Sequence, residues 1–302
     1  MHRNARPLWQ RRSNVALKGK KYVWICIIPA MLLIAMFLVY PLIKTVIYSF
    51  SSWYNFSPKS EWIGLENYKR LLSDMVMPVA FRNTAILIVG VLIFQVGFAL
   101  LLAIMVDSVH HGFKIFRTVY FFPIVISGTA IGLMFTLIYK YEYGLLNYII
   151  TLFGYDKQVW ITPKTAIFLT LIPVLWQYIG FYFVIFLTGI SKIPEDIYES
   201  AMLDGITPIK KIIYITIPML KDVLISTIVL VVSGCFRVFD TVYVITKGGP
   251  MNSSQLLSTY MYQMAFEKYN GGYASAIAIV MIIIGVLLTI GLRKLLKADA
   301  ED

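Results

Sequence analysis

Cysteine, histidine and charged residues are all scarce in this chain of 302 residues, which has two cysteines, three histidines and 14% charged residues. Cys26 and Cys235 both fall within apolar runs, so they imply no disulfide framework and are interpreted as small hydrophobic residues. His110 and His111 are adjacent and cannot place two rings on one helical face, and the third histidine is His2. No H-E-x-x-H pattern occurs either, so we expect no metal site.

Motifs for nucleotide hydrolysis and for nucleophilic catalysis are absent as well. No G-x-x-x-x-G-K-S/T phosphate-binding loop occurs, so the chain is not expected to hydrolyse a nucleotide by that route. The G-x-S-x-G nucleophile elbow is also missing. These absences leave little support for an enzyme.

Long apolar stretches dominate what the sequence does contain. Hydrophobic residues make up 59% of the chain, and the mean hydropathy is +0.74. A helix needs about 20 mostly apolar residues to cross a bilayer. The six runs of that length cover residues 23–43, 84–106, 118–139, 165–191, 223–246 and 269–292. We therefore predict an all-α polytopic membrane protein with six transmembrane helices. The first run is too long for a removable signal peptide and has no cleavage site after it.

The distribution of Lys and Arg predicts the orientation. The N-terminus, residues 107–117, residues 192–222 and the C-terminal tail hold 16 of them, whereas residues 49–83, 139–164 and 247–273 hold 9. Because basic loops stay in the cytoplasm, both termini are predicted to be cytoplasmic. The net charge of +11 thus needs no nucleic acid to explain it, and the basic N-terminus could contact anionic lipid of the bilayer. The predicted organisation is a basic segment 1–21, a membrane domain 22–296 and a tail 297–302.

The predicted cytoplasmic loop 192–222 has the signals of two short helices joined by an elbow. Pro194 suits the start of the first helix, and Gly205 suits the left-handed residue that ends it. Thr207 and Pro208 are typical of a second helix start, which Pro218 closes. The first helix carries apolar side chains that something must cover, namely Ile197, Ala201, Met202 and Leu203.

This loop closely resembles the EAA loop of ABC importer permeases. The resemblance rests on Glu199-Ser200-Ala201, then Gly205, then Ile215, with Ile217-Pro218 at the end. Ser200 stands where alanine is usual and Ile217 where leucine is usual. Asp204 before Gly205 resembles the carbohydrate-uptake branch of the family.

Four other stretches agree with that branch. They are "YPLIKTVIYSF" (40–50), "WIGLENYKRLL" (62–72), "FDTVYVITKGGP" (239–250) and "YASAIAIVMIII" (273–284). The likeness is strongest to the maltose and glycerol-phosphate permease subunits whose fifth span ends in T-x-G-G-P.

The resemblance implies a type I ABC importer permease fold in a bacterial cytoplasmic membrane, and a sugar or oligosaccharide as substrate. It also implies a second permease subunit, two ATPase subunits and an extracytoplasmic solute-binding protein as partners. ATP and Mg would then bind to the ATPases, and this chain would hold no cofactor and catalyse no reaction. The residues it implies for coupling to the ATPases are Glu199, Ser200, Ala201, Asp204, Gly205, Ile215 and Pro218.

The resemblance places sugar contacts in spans three to five. The candidates there are Ser127, Gln177, Tyr178 and Phe181, since aromatic faces and polar side chains suit a sugar. Helix packing is the alternative role for these polar groups.

Charged side chains inside a span cost about 2.5 to 3.5 kcal/mol each and are usually functional. Arg237 and Asp240 are three residues apart in span five, which predicts a shared helix face and either a structural ion pair or a lining of the path.

Two other functions are weighed against an importer subunit. An ion-coupled secondary carrier would need no ATPase, but it is expected to show more acidic residues in its spans than Asp240 alone. An intramembrane enzyme lacks its nucleophile and metal motifs.

Overall fold

The computed structural model describes residues 27–55, 57, 59–107 and 113–298. The basic segment 1–21, Cys26, the three histidines and residues 299–302 lie outside these ranges. The regular elements of the described chain are helices, apart from one two-stranded antiparallel sheet and an isolated antiparallel bridge between Tyr54 and Asn270. Its helices are α1 (Ile27–Ser49), α2 (Glu66–Ser73), α3 (Met77–Asp107), α4 (Ile115–Val125), α5 (Gly128–Ile138), α6 (Leu145–Leu152), α7 (Ala166–Ile190), α8 (Glu195–Leu203), α9 (Pro208–Met219), α10 (Lys221–Cys235), α11 (Asp240–Thr246), α12 (Leu257–Tyr262) and α13 (Gly271–Ala298). The strands are β1 (Ser51–Ser52) and β2 (Glu61–Trp62).

The number of crossings agrees with the prediction. Helices α1, α3, α7 and α13 are each long and apolar enough to cross a membrane. Two bent pairs raise the number to six if each pair is one span: α4 with α5, bent by 91°, and α9 with α10, bent by 68°. The first pair corresponds to the predicted span 118–139, which is bent and not one continuous helix. The second pair covers residues 208–235 and overlaps the predicted span 223–246 only in part. That predicted span consists of α10 and α11 with a break between them, and we call it span five.

Span three breaks at the end of a short stretch of 3₁₀ helix, Phe122–Val125, which contains Pro123. Ile126 and Ser127 are then extended, and Ser127 caps α5 by accepting a hydrogen bond from the Ala130 amide at 3.2 Å. The Ile126 carbonyl at the break accepts a hydrogen bond from the Gln177 side chain at 3.0 Å. Backbone groups inside a membrane must be satisfied within the protein, and these two bonds do that at the break.

Span five breaks between Cys235 and Asp240. Phe239 has the irregular dihedral angles φ −140° and ψ −63°, and the Val238 carbonyl accepts a hydrogen bond from Ser258 at 2.5 Å. Arg237 therefore lies between two helices, and Asp240 is the first residue of the second. The expectation that the two residues share a helix face is wrong, because the helix that would align them ends at Cys235.

The second halves of the two broken spans pack against each other. Gly128 and Gly132, spaced as G-x-x-x-G on α5, face α11. A methyl group built on Gly132 would lie 2.9 Å from Cβ of Val244, so only glycine allows this approach. Thr241 also donates a hydrogen bond to the Gly128 carbonyl at 3.3 Å.

The segment after α11 folds back into the protein. Residues 254–260 are all buried, and the Asn83 side chain donates to the carbonyls of Ser253 at 2.7 Å and Gln255 at 3.0 Å. The amide of Leu257 donates to Thr84 Oγ1 at 3.2 Å. These bonds tie the stretch that follows the T-x-G-G-P motif to the start of α3.

The main apolar core lies between α3, α7 and α10, and includes Leu87, Phe183, Phe186 and Val231. Pro173 lies inside α7 and lacks the N–H that would bond the carbonyl of residue 169. That Leu169 carbonyl instead accepts a hydrogen bond from the buried Tyr139 hydroxyl at 2.9 Å. The proline is thus accommodated by a side chain from span three.

A polar cluster joins α2, α12 and α13. Asp74 accepts hydrogen bonds from the hydroxyls of Tyr260 at 2.5 Å and Tyr273 at 2.6 Å, and the Arg70 guanidinium lies 4.6 Å from the Tyr273 ring centre. Burial alone would raise the pKa of Asp74, but these hydroxyls and the amides of Val76 and Met77 outweigh it and lower that pKa below its ordinary value.

Candidate functional site

The loop 192–222 forms two helices with an elbow, as predicted, and we call residues 195–219 the knuckle. Gly205 has φ +71°, a left-handed conformation that favours glycine. Its amide donates to the Met202 carbonyl at 3.0 Å, and the Ile206 amide donates to the Ala201 carbonyl at 3.1 Å. This is a Schellman ending of α8. Pro194 is the residue before α8, not its first helical residue, and Thr207 precedes α9 without a side-chain capping bond among the described residues.

Tyr198 holds the two helices of the knuckle together. The Tyr198 hydroxyl is 3.2 Å from Thr216 Oγ1, and the Lys211 ammonium lies 4.7 Å from the centre of the Tyr198 ring. Ala201 is buried within the chain and Ile197 is half-buried. Ala201 is thus covered by its own chain and needs no other chain to cover it, which corrects the expectation for this residue.

Other apolar side chains of the knuckle remain exposed. Leu203 is 90% exposed and Met202 63% exposed, which agrees with the prediction for these two. The second helix adds the exposed side chains Ile209, Ile213 and Tyr214. Exposed apolar patches of this kind mark surfaces that interact with a protein or a membrane.

The remaining coupling candidates lie around this patch. Glu199 is exposed at a cavity of ≈ 650 Å³ whose lining also includes Lys211 and Asp107. Ser200 donates a hydrogen bond to the Asp196 carbonyl at 2.8 Å, so its hydroxyl is satisfied within α8. The others, by position, are Asp204 at the exposed end of α8, Ile215 half-buried in α9, and Pro218 exposed just before the bend at Leu220.

The path candidates divide into two groups. Tyr178 and Arg237 line one cavity of ≈ 250 Å³ between α3, α7 and α10, which Gln95, Tyr182 and Cys235 also line. A second cavity, of ≈ 490 Å³, lies between α10 and α13, and Arg237 lines it too. The structure thus brings Arg237 and Tyr178 to the same cavity.

The other path candidates contact protein. Gln177 is buried and donates to the Ile126 carbonyl, Ser127 caps α5, and Phe181 packs edge-on against Tyr182 with ring centres 5.2 Å apart. Asp240 begins α11 beside Gly128 and has no ion-pair partner among the residues that the structure describes. The ion pair between Arg237 and Asp240 considered from the sequence is therefore not formed.

Sequence reasoning missed a group of four aromatic rings, the first of which, Phe239, follows Arg237 by two positions. Phe239, Tyr243, Tyr262 and Phe266 follow one another with ring centres 4.7 to 5.0 Å apart. The Tyr243 hydroxyl donates to Glu267 at 2.6 Å. Both halves of the group have i, i+4 spacing, which was a visible signal, but their pairing depends on the fold-back of the segment after α11.

Comparisons with known proteins agree with this architecture. The family model described as "Binding-protein-dependent transport system inner membrane component" matches residues 21–299. The probable ABC transporter permease protein YurN of Bacillus subtilis is 36% identical over 94% of this chain and 99% of its own length. The trehalose/maltose transport system permease protein MalF of Thermococcus litoralis is 30% identical over 92% of this chain and 94% of its own length. This chain also superposes on a crystal structure of a bacterial ABC transporter involved in the import of the polysaccharide alginate, with a TM-score of 0.80 and 21% sequence identity. The superposition covers 95% of this chain and 99% of that one, so the two chains share the same fold.

Proposed function

The chain belongs to the family of inner membrane components of binding-protein-dependent transport systems, and from this premise we propose that it is one permease of an ATP-driven importer of a sugar or oligosaccharide. It forms the translocation path together with a second permease. Two ATPase subunits bind on the cytoplasmic side, and a solute-binding protein delivers the substrate from the opposite side. ATP and Mg are held by the ATPases.

The knuckle is the observation that carries this proposal. Its backbone is fixed by the Schellman ending at Gly205 and by Tyr198, while Leu203 and Met202 project without cover from the described chain. A rigid support under an exposed apolar patch suits transmission of force from a docked ATPase. The exposed carboxylate of Glu199 adds a charge at the edge of that surface.

The broken spans support a substrate path at the middle of the membrane. Irregular backbone at membrane depth is tolerated where it is buried in protein or lines a cavity, and transporters place substrate sites at such breaks. The break in span five places Arg237 at the cavity that also holds Tyr178. Similarity to the trehalose/maltose permease supports a saccharide as the substrate.

The coupling role is tested with the reconstituted importer carrying Glu199→Lys or Gly205→Val. We expect membrane insertion to be normal and substrate-stimulated ATP hydrolysis to fall by about tenfold or more, because a branched side chain at φ +71° strains the elbow. Gly154→Val is the matched control, since Gly154 also has a positive φ, +81°, and open space around it but lies outside the knuckle. Normal stimulation in both knuckle variants would refute the proposal.

A further inference from the structure

Arg237 is a cation in the broken part of span five that forms no ion pair with any residue the structure describes. It lies in the irregular stretch between α10 and α11, its side chain is exposed, and it lines both cavities beside α10. An ionised side chain in a membrane span is costly unless it has a partner or a functional ligand.

The negative charge of Asp240, the nearest acidic residue along the chain, is stabilised by other groups. A methyl group built on Gly128, at the start of α5, would lie 3.2 Å from Cβ and 3.5 Å from Oδ2 of Asp240. The Asp240 carboxylate therefore lies at the N-terminal end of α5, and it also occupies the first turn of α11. The positive ends of helices stabilise a carboxylate, so this charge does not depend on Arg237.

The surroundings of Arg237 suit a saccharide that carries a negative charge. Tyr178 lines the same cavity and is partly exposed, so its ring can stack on a sugar. Gln95 at that cavity is already bonded, because its amide donates to the Val174 and Leu175 carbonyls at 3.1 and 3.0 Å. The cavity thus offers aromatic surface and a guanidinium that is paired with no carboxylate of the described chain. A guanidinium binds a carboxylate through two parallel hydrogen bonds.

We infer that the transported saccharide carries a carboxylate, as uronic acids do, and that Arg237 binds it during passage through the membrane. This inference rests on the proposed function, since it names the chemical class of the substrate for the same path. Arg237 acts here as a residue that determines specificity.

The test uses the complete importer with its solute-binding protein in proteoliposomes. The probes are a mixed uronate oligosaccharide fraction, the same fraction after chemical reduction of its carboxyl groups, and a mixture of neutral oligosaccharides. We expect ATP hydrolysis to be stimulated by the uronate fraction and not by its reduced form. Arg237→Gln should lower that stimulation by about tenfold or more, since bonds to charged groups are the strong ones, while Arg237→Lys retains part of it. Lys44→Gln is a control that removes a cation from α1, away from both cavities.

Three results would overturn the inference, and they have different meanings. Stimulation by neutral oligosaccharides that Arg237→Gln leaves unchanged would show that the substrate needs no carboxylate, while the proposed importer would stand. Stimulation by none of the three probes would count against the proposed function, the import of a saccharide. Loss of the second permease from the purified Arg237→Gln complex would assign Arg237 to subunit assembly instead.

Discussion

Asp74 shows how a single carboxylate holds three elements together. Its folded pKa lies below the ordinary value of 3.8, so its contribution to stability is present above that value and is lost as the pH falls through the folded pKa. Asp74→Asn should therefore lower the midpoint of thermal unfolding by a few degrees near pH 7, and the difference from the wild type should shrink as the pH falls below 3.8. The measurement is thermal unfolding of the purified protein across this pH range. Exposed Asp156→Asn is the matched control, and a difference that stays constant with pH would contradict the assignment.

Single residues were predictable from the sequence where their role is local. Gly205 was identified because a helix ending is set by neighbours within a few positions. Gln177 was identified only as a polar group with two possible roles, because its partner Ile126 lies 51 positions away and no local pattern reveals it. For the same reason the exposure of Met202 was predictable, but the burial of Ala201 in the chain's own packing was not.

At the scale of elements, the contact between α5 and α11 depends on small residues. Gly132→Val places a branched side chain where even Cβ would lie 2.9 Å from Cβ of Val244, so the two helices must separate. We expect a loss of about 1 to 3 kcal/mol in stability, typical of overpacking, and a lower unfolding temperature of the purified complex. Gly97→Val is the matched control in α3, because nothing lies within 4 Å of the added carbon. Equal unfolding temperatures for the two variants would argue against tight packing here.

Helix continuity was the property of the elements that hydropathy did not predict. Hydropathy measures the length of an apolar run, and both broken spans are long enough. Pro123 was a visible signal for the break in span three. Span five has no proline at its break, and the freed Val238 carbonyl is satisfied by Ser258, twenty positions away. That break is decided by tertiary contacts.

At the scale of the whole molecule, the number of crossings and the charge of the loops predict which surfaces face which side. Leu203→Cys on the knuckle and Met251→Cys after α11 place reporters at side chains that are 90% and 88% exposed. With Cys26 and Cys235 replaced, an impermeant maleimide added to intact cells should label position 251 and leave position 203 unlabelled. The reason is that six spans and the basic loops predict a cytoplasmic knuckle. Permeabilised cells provide the control for reactivity at position 203. Labelling at position 203 in intact cells would reverse the orientation.

The proline in α7 has a consequence for how this chain can change over evolution. Because Pro173 cannot bond the Leu169 carbonyl, the Tyr139 hydroxyl supplies the hydrogen bond there. Losing the hydroxyl alone leaves a partly buried carbonyl without a donor. Once another residue replaces the proline, its N–H supplies the missing bond and phenylalanine at position 139 becomes acceptable. The order of the two substitutions therefore matters. The proline must be lost before the tyrosine, and a descendant that acquires the proline again must already carry the tyrosine.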